Sequence, residues 1–131
     1  MKILVLVLML SFFAGCESSR ESNVVITEPD TCDCKTLILD KDYNRFYLND
    51  RKKPFTGTCN IIENGILKST RNFKEGKYHG DFIEYYDNGQ VKLLIEYKAH
   101  FMNGDVKSFS EEGKLIGHSV YKQSRLIEIK L

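Results

Sequence analysis

Asp81-Phe82-Ile83-Glu84-Tyr85-Tyr86-Asp87-Asn88-Gly89-Gln90-Val91-Lys92-Leu93-Leu94-Ile95-Glu96-Tyr97 decides the fold. Asp81 to Tyr86 is rich in aromatic and β-branched side chains, which suit a pleated, half-buried surface. Asp87 to Gln90 reads as a turn. Gly89 has no Cβ to clash at positive φ, and Asn88 tolerates the left-handed region. After the turn, Val91, Leu93, Ile95 and Tyr97 point one way and Lys92 and Glu96 the other, with Leu94 breaking the polar face. A period of two predicts strand, so the stretch is a β-hairpin.

The same pattern recurs on both sides of it at a constant interval of twenty-four positions. Asn64-Gly65, Asn88-Gly89 and Glu112-Gly113 fall on this spacing. So do Phe73, Tyr97 and Tyr121, each followed by lysine (Lys74, Lys98, Lys122). Leu67, Val91 and Leu115 form a further column, as do Ile61, Tyr85 and Phe109, and Tyr78, Met102 and Leu126. One irregularity stands out: Gly57 to Gly65 is eight residues, whereas Gly80 to Gly89 and Gly104 to Gly113 are nine. The leading strand of the first copy is therefore expected to be one residue short, or bulged. No stretch after residue 17 shows a capped 3.6-residue period, so almost no helix is expected. Chained hairpins of fixed period predict an all-β, elongated antiparallel meander in which each unit packs on its neighbours. Its repeats span about 57–80, 81–104 and 105–130, and Gly65, Gly89 and Gly113 are the repeat-turn glycines.

Pro54-Phe55-Thr56-Gly57, Glu63-Asn64-Gly65, Phe73-Lys74-Glu75-Gly76-Lys77-Tyr78-His79-Gly80 and Glu84-Tyr85-Tyr86-Asp87-Asn88-Gly89-Gln90 together resemble the MORN-like repeat proteins of the YwqK antitoxin family. The resemblance covers about residues 43–130. It implies short β-hairpin units and a binding role. Members are grouped as antitoxins, which would neutralise a partner toxin protein, and MORN repeats elsewhere are read as platforms for proteins and sometimes lipids. No catalytic residue is carried over. The last copy departs from the pattern, with Ser110-Glu111-Glu112 for Tyr-Asp-Asn and no glycine in Lys122-Gln123-Ser124-Arg125, as suits a capping repeat.

The chain begins with Met1-Lys2, an apolar run from Ile3 to Ala14 interrupted by Ser11, and then Gly15-Cys16 before polar residues. This is the shape of a secretory signal. An apolar helix of about 12 residues spans about 18 Å, short of the roughly 30 Å of a bilayer core. Phe13-Ala14-Gly15-Cys16 resembles the lipobox of bacterial lipoproteins, with Phe13 in place of the usual Leu. The resemblance implies cleavage after residue 15, diacylglycerol on the Cys16 thiol, and an acyl chain such as palmitate on the new amino end. Several chains hold a protein at a bilayer where one does not. Glu17, which is not the Asp of inner-membrane retention, points by the same resemblance to the outer membrane. The expected organisation is a signal peptide at 1–15, a lipidated N-terminus and tether at 16–34, and the repeat domain at 35–131. A coil over residues 17–31 would reach about 20 Å, unless Val24-Val25-Ile26 joins an edge strand.

With 19 Lys+Arg against 18 Asp+Glu, the chain has no basic excess for meeting phosphates, so no nucleic-acid partner is expected. Besides Cys16, the cysteines are Cys32, Cys34 and Cys59. All three are disulfide candidates. The preferred reading is one bond from Cys32 or Cys34 to Cys59, closing a loop of about 25 residues for roughly 3 kcal/mol. A strained Cys32–Cys34 link, free thiols and a metal pair are the alternatives. His79, His100 and His118 fall at different phases of the repeat and are expected as exposed loop or strand residues. Asp81, Glu84, Asp87 and Glu96 recur with the repeat and read as a solvated face, and Arg51-Lys52-Lys53 before Pro54 reads as a solvated turn, with a lipid headgroup contact the alternative. Neither a phosphate loop, a nucleophile elbow nor a zinc-protease helix is present. The expectation is therefore a non-enzyme without metal or cofactor, tethered to the cell envelope and binding a protein or other ligand. An antitoxin-like or immunity-like inhibitor is the alternative. Tyr85 and Tyr86, or Phe101 and Met102, would offer an aromatic strip if exposed; a packed inner face is the preferred reading.

Overall fold

The computed structural model describes residues 31–131. Cys16, the signal segment and Val24-Val25-Ile26 lie outside the described residues. Strands β1 (Thr31–Asp33), β2 (Ile38–Asp40) and β3 (Arg45–Tyr47) precede a run of longer ones. These are β4 (Gly57–Glu63), β5 (Ile66–Lys74), β6 (Lys77–Tyr85), β7 (Val91–Lys98), β8 (Phe101–Phe109), β9 (Leu115–Lys122) and β10 (Arg125–Ile129). β4 to β10 lie side by side in chain order, and β1 adds to the outer edge of β4 to give an eight-stranded sheet. The fold is the all-β antiparallel meander that the hairpin pattern predicts, apart from the parallel pairing of β1 with β4.

The period is built into the register. Gly57 faces Phe73, Gly80 faces Tyr97 and Gly104 faces Tyr121 across the three hairpins. On their other side the same aromatics face Tyr78, Met102 and Leu126. Each aromatic thus lies between a glycine, which leaves room for its ring, and an apolar neighbour. Each hairpin carries a bulge on its second strand, at Lys68, Lys92 and Ile116, again at the repeat interval.

The irregular first copy loses a turn residue, and its strand keeps its full length. Glu63 pairs with Ile66, so Asn64-Gly65 alone closes the first hairpin, at φ 50° and 76°. Such a two-residue turn twists with the strands it joins. In the second hairpin Tyr86 N–H donates to Gln90 O, leaving Asp87-Asn88-Gly89 to turn, with Gly89 at φ 84°. This corrects one column. Ile62, not Ile61, faces Leu67 as Tyr85 faces Val91 and Phe109 faces Leu115. The links between hairpins are all two-residue turns at positive φ: Glu75-Gly76, Ala99-His100 and Gln123-Ser124.

The N-terminal segment supplies the core. The buried apolar residues among those described are Phe55, Cys59 and Phe73, with Cys32, Cys34, Leu37, Phe46 and Tyr78 packed on them. Phe55 N–H donates to Phe46 O, Phe46 N–H to Gly76 O and Gly76 N–H to Phe55 O, so three backbones meet at one end of the sheet. Cys34 is bonded to Cys59, with Cα atoms 4.9 Å apart, and Cys32 lies opposite Cys59 in the parallel register. The stretch Thr31 to Cys34, expected at the end of a tether, is thus part of the sheet edge and its clasp. No helix among the described residues is long and apolar enough to cross a membrane.

Candidate functional site

An aromatic ladder runs across one face of β5 to β7. Phe55, Phe73, Tyr78 and Tyr97 follow one another at ring-centroid distances of 5.6, 4.9 and 5.5 Å, and Phe46 packs edge-on against Phe73 and tilted against Tyr78. Burial, with Tyr78 beside it, pushes the Tyr97 phenol above its ordinary range. Towards the turns the same face changes character. By strand alternation Phe73 shares its face with Arg71 and Ser69. Arg71 sits over the Phe82 ring at 4.8 Å, a cation–π contact. Ser69 is 5% exposed, and its Oγ has no hydrogen-bond partner; nor has the buried Nε of Arg71, among the described residues.

These groups floor an open groove of about 810 Å³ over β5, β6 and the start of β7. Lys68, Lys92, Glu63, Glu84, Asp87 and Tyr86 stand around them. The rim is held in place: Lys68 pairs with Asp87, Lys92 lies over the Tyr86 ring, and Tyr86 Oη donates to Phe109 O at 2.9 Å. Asn88 Nδ2 donates to Glu111 O, tying one turn to the next. The groove offers cations, carboxylates and ring faces together, which suits a partner of mixed polarity. A buried polar atom without a partner is costly, and a ligand that supplies the missing bond removes that cost.

The opposite face carries polar pairs that satisfy one another. Thr58 Oγ1 donates to Asn72 Oδ1, and Asn72 Nδ2 to Asp81 O. Asp105 lies 3.0 Å from His118 Nε2 and 2.9 Å from Lys107 Nζ. Those two contacts, His118 first, hold its carboxyl at about 2, well below the usual carboxylate range.

Gly65, Gly89 and Gly113 sit at the three hairpin tips at φ 76°, 84° and 82°. Glu84 and Asp87 enter the groove, whereas Asp81 and Glu96 lie on the other face, Glu96 accepting from Asp105 N–H. The expectation of exposed histidines fails: none of the three is exposed, and His79 is half-buried on β6. His100 Nδ1 accepts from Tyr78 N–H, its Nε2 lies 2.8 Å from Asn44 O, and its ring packs on Phe46 and Tyr78. The His118 side chain is 15% exposed against Asp105. Phe101 is exposed, while Tyr85, Tyr86 and Met102 are half-buried, so they form no single aromatic strip. Among the described residues no three His, Cys, Asp or Glu side chains converge as a metal site would need.

Ser69 and Arg71 were not expected as site residues. The repeat carries no consistent signal for them: one period further on the same positions are Leu93 and Ile95, but two periods on they are Gly117 and Ser119. No curated protein and no solved structure matches the chain. The family model described as MORN repeat variant matches residues 78–99 and 102–123, which begin one period apart and coincide with the β6–β7 and β8–β9 hairpins.

Proposed function

We propose that this chain is a non-enzymatic repeat module, tethered to the membrane of the bacterial cell envelope through lipid on Cys16, that binds a protein partner in the groove above Arg71 and Ser69. The supporting observation is the pair of buried polar atoms, Ser69 Oγ and Arg71 Nε, left without hydrogen-bond partners on the floor of an open groove. The repeats give the module a rigid backbone frame, and the tether gives it a place. The YwqK-type resemblance makes a toxin one kind of partner.

The test compares the full chain with Arg71→Met and Ser69→Ala as bait in envelope extract. The same partner captured by the wild type and lost from both variants, with unchanged dichroism, is the expected result. Equal capture by all three removes the groove from the account. A captured protein whose toxicity the chain abolishes would make the module an antitoxin. Replacing Cys16 should release the chain from the membrane fraction, and retained attachment contradicts the tether.

A further inference from the structure

β10 forms an open edge of the sheet: it pairs with β9 on one side, and no described strand lies on the other. Leu126, Ile127 and Ile129 of β10, and Leu131 just beyond it, are 46, 59, 68 and 62% exposed, and no other described strand bares as many apolar side chains. An exposed edge with apolar side chains is a template for another strand. Its equivalents in the repeat, β6 and β8, each have a strand on both sides. The opposite edge differs: β1 is three residues long and is followed by the Cys34–Cys59 clasp.

The sequence of β10 fits itself. The register shifts at Ile127, and Lys130 and Leu131 N–H groups both donate to His118 O, so Glu128-Ile129 lies between two irregularities. In an antiparallel pair centred on Ile129, that residue meets its own copy. Glu128 then stands opposite Lys130 of the second chain, twice by symmetry, and Ile127 opposite Leu131. Opposite charges directly across a strand pair stabilise it, and like charges destabilise it. A two-fold contact requires such self-complementarity.

We propose that β10 is a self-association edge, joining two copies of this chain into one continuous sheet about a two-fold axis at Ile129. The contact uses neither the groove nor its ligand, so it stands or falls separately from the binding role. Two readouts test it on the full chain. Paired residues across antiparallel strands have Cα atoms about 4.5–5.5 Å apart, within disulfide reach. Ile129→Cys should therefore cross-link to a dimer under mild oxidation in membranes, while Arg125→Cys and the wild type, which retains Cys32, should not. Cross-linking of none or of all three equally overturns the proposal. In detergent, Glu128→Lys and Lys130→Glu should each sediment as monomers at concentrations where the wild type is dimeric. Mixing the two variants should restore dimers, because each Lys then faces a Glu. Single variants that behave as the wild type, or a mixture that stays monomeric, contradict the register.

Discussion

At the scale of single residues, two glycines of similar φ have different duties. Gly89, at φ 84°, has nothing within 4 Å of where a Cβ would lie. Gly89→Ala should cost only the left-handed backbone, about 1 kcal/mol. Gly76, at φ 75°, would place a Cβ 2.8 Å from Phe46 O and 2.9 Å from Arg45 Cβ. Gly76→Ala adds that clash and should cost about 2–3 kcal/mol, since it pries β3 from the sheet. Urea unfolding of the two variants checks the order; equal losses would contradict the packing of β3. Asp105 contributes to the acid response. Its carboxyl, depressed to about 2 by His118 and Lys107, stabilises the fold above the unfolded value near 4 and loses that contribution as pH falls through about 2. The melting-temperature gap between wild type and Asp105→Asn should be constant at neutral pH and shrink below about pH 4. A gap independent of pH would leave the pair without a role. The turn glycines could be read from sequence because φ preference is local. Arg71 and Ser69 could not, because their meaning depends on which face carries the core.

At the scale of elements, strand and turn order was legible through the repeats, since alternation and Asn-Gly signals lie within a few residues of one another. What escaped was the pairing of β1 and the small β2–β3 hairpin, whose three-residue strands are too short to show a period. The missing residue of the first copy was legible as a deficit, but its place in the turn required the Glu63–Ile66 pairing. Burial is uneven along the meander. Phe55, Cys59 and Phe73 sit at the β4–β5 end, and every residue of β10 is exposed. Amides with few buried contacts open most readily. Hydrogen exchange should thus show strongest protection in β4 to β6, falling through β8 and β9 to β10. Uniform protection would mean that neighbouring hairpins, and not the N-terminal core, set local stability.

At the scale of the whole molecule, the N-terminal segment and the repeats depend on each other. The Cys34–Cys59 bond closes a loop of 25 residues in sequence separation, worth about 3 kcal/mol. Cys34→Ser should lower unfolding stability by about that amount, and an unchanged urea midpoint would show that packing alone holds the edge. Which cysteine bonds Cys59 depended on the parallel register of β1, a long-range pairing with no local signature. The proposed binding role places partners on the groove face. A photo-cross-linking phenylalanine analogue placed at Tyr86, on the groove rim, or at Asp81, on the other face of the same sheet, tests this in living cells. A partner adduct from position 86 and none from position 81 is expected; adducts from 81 alone, or equally from both, would rule out binding on the groove face.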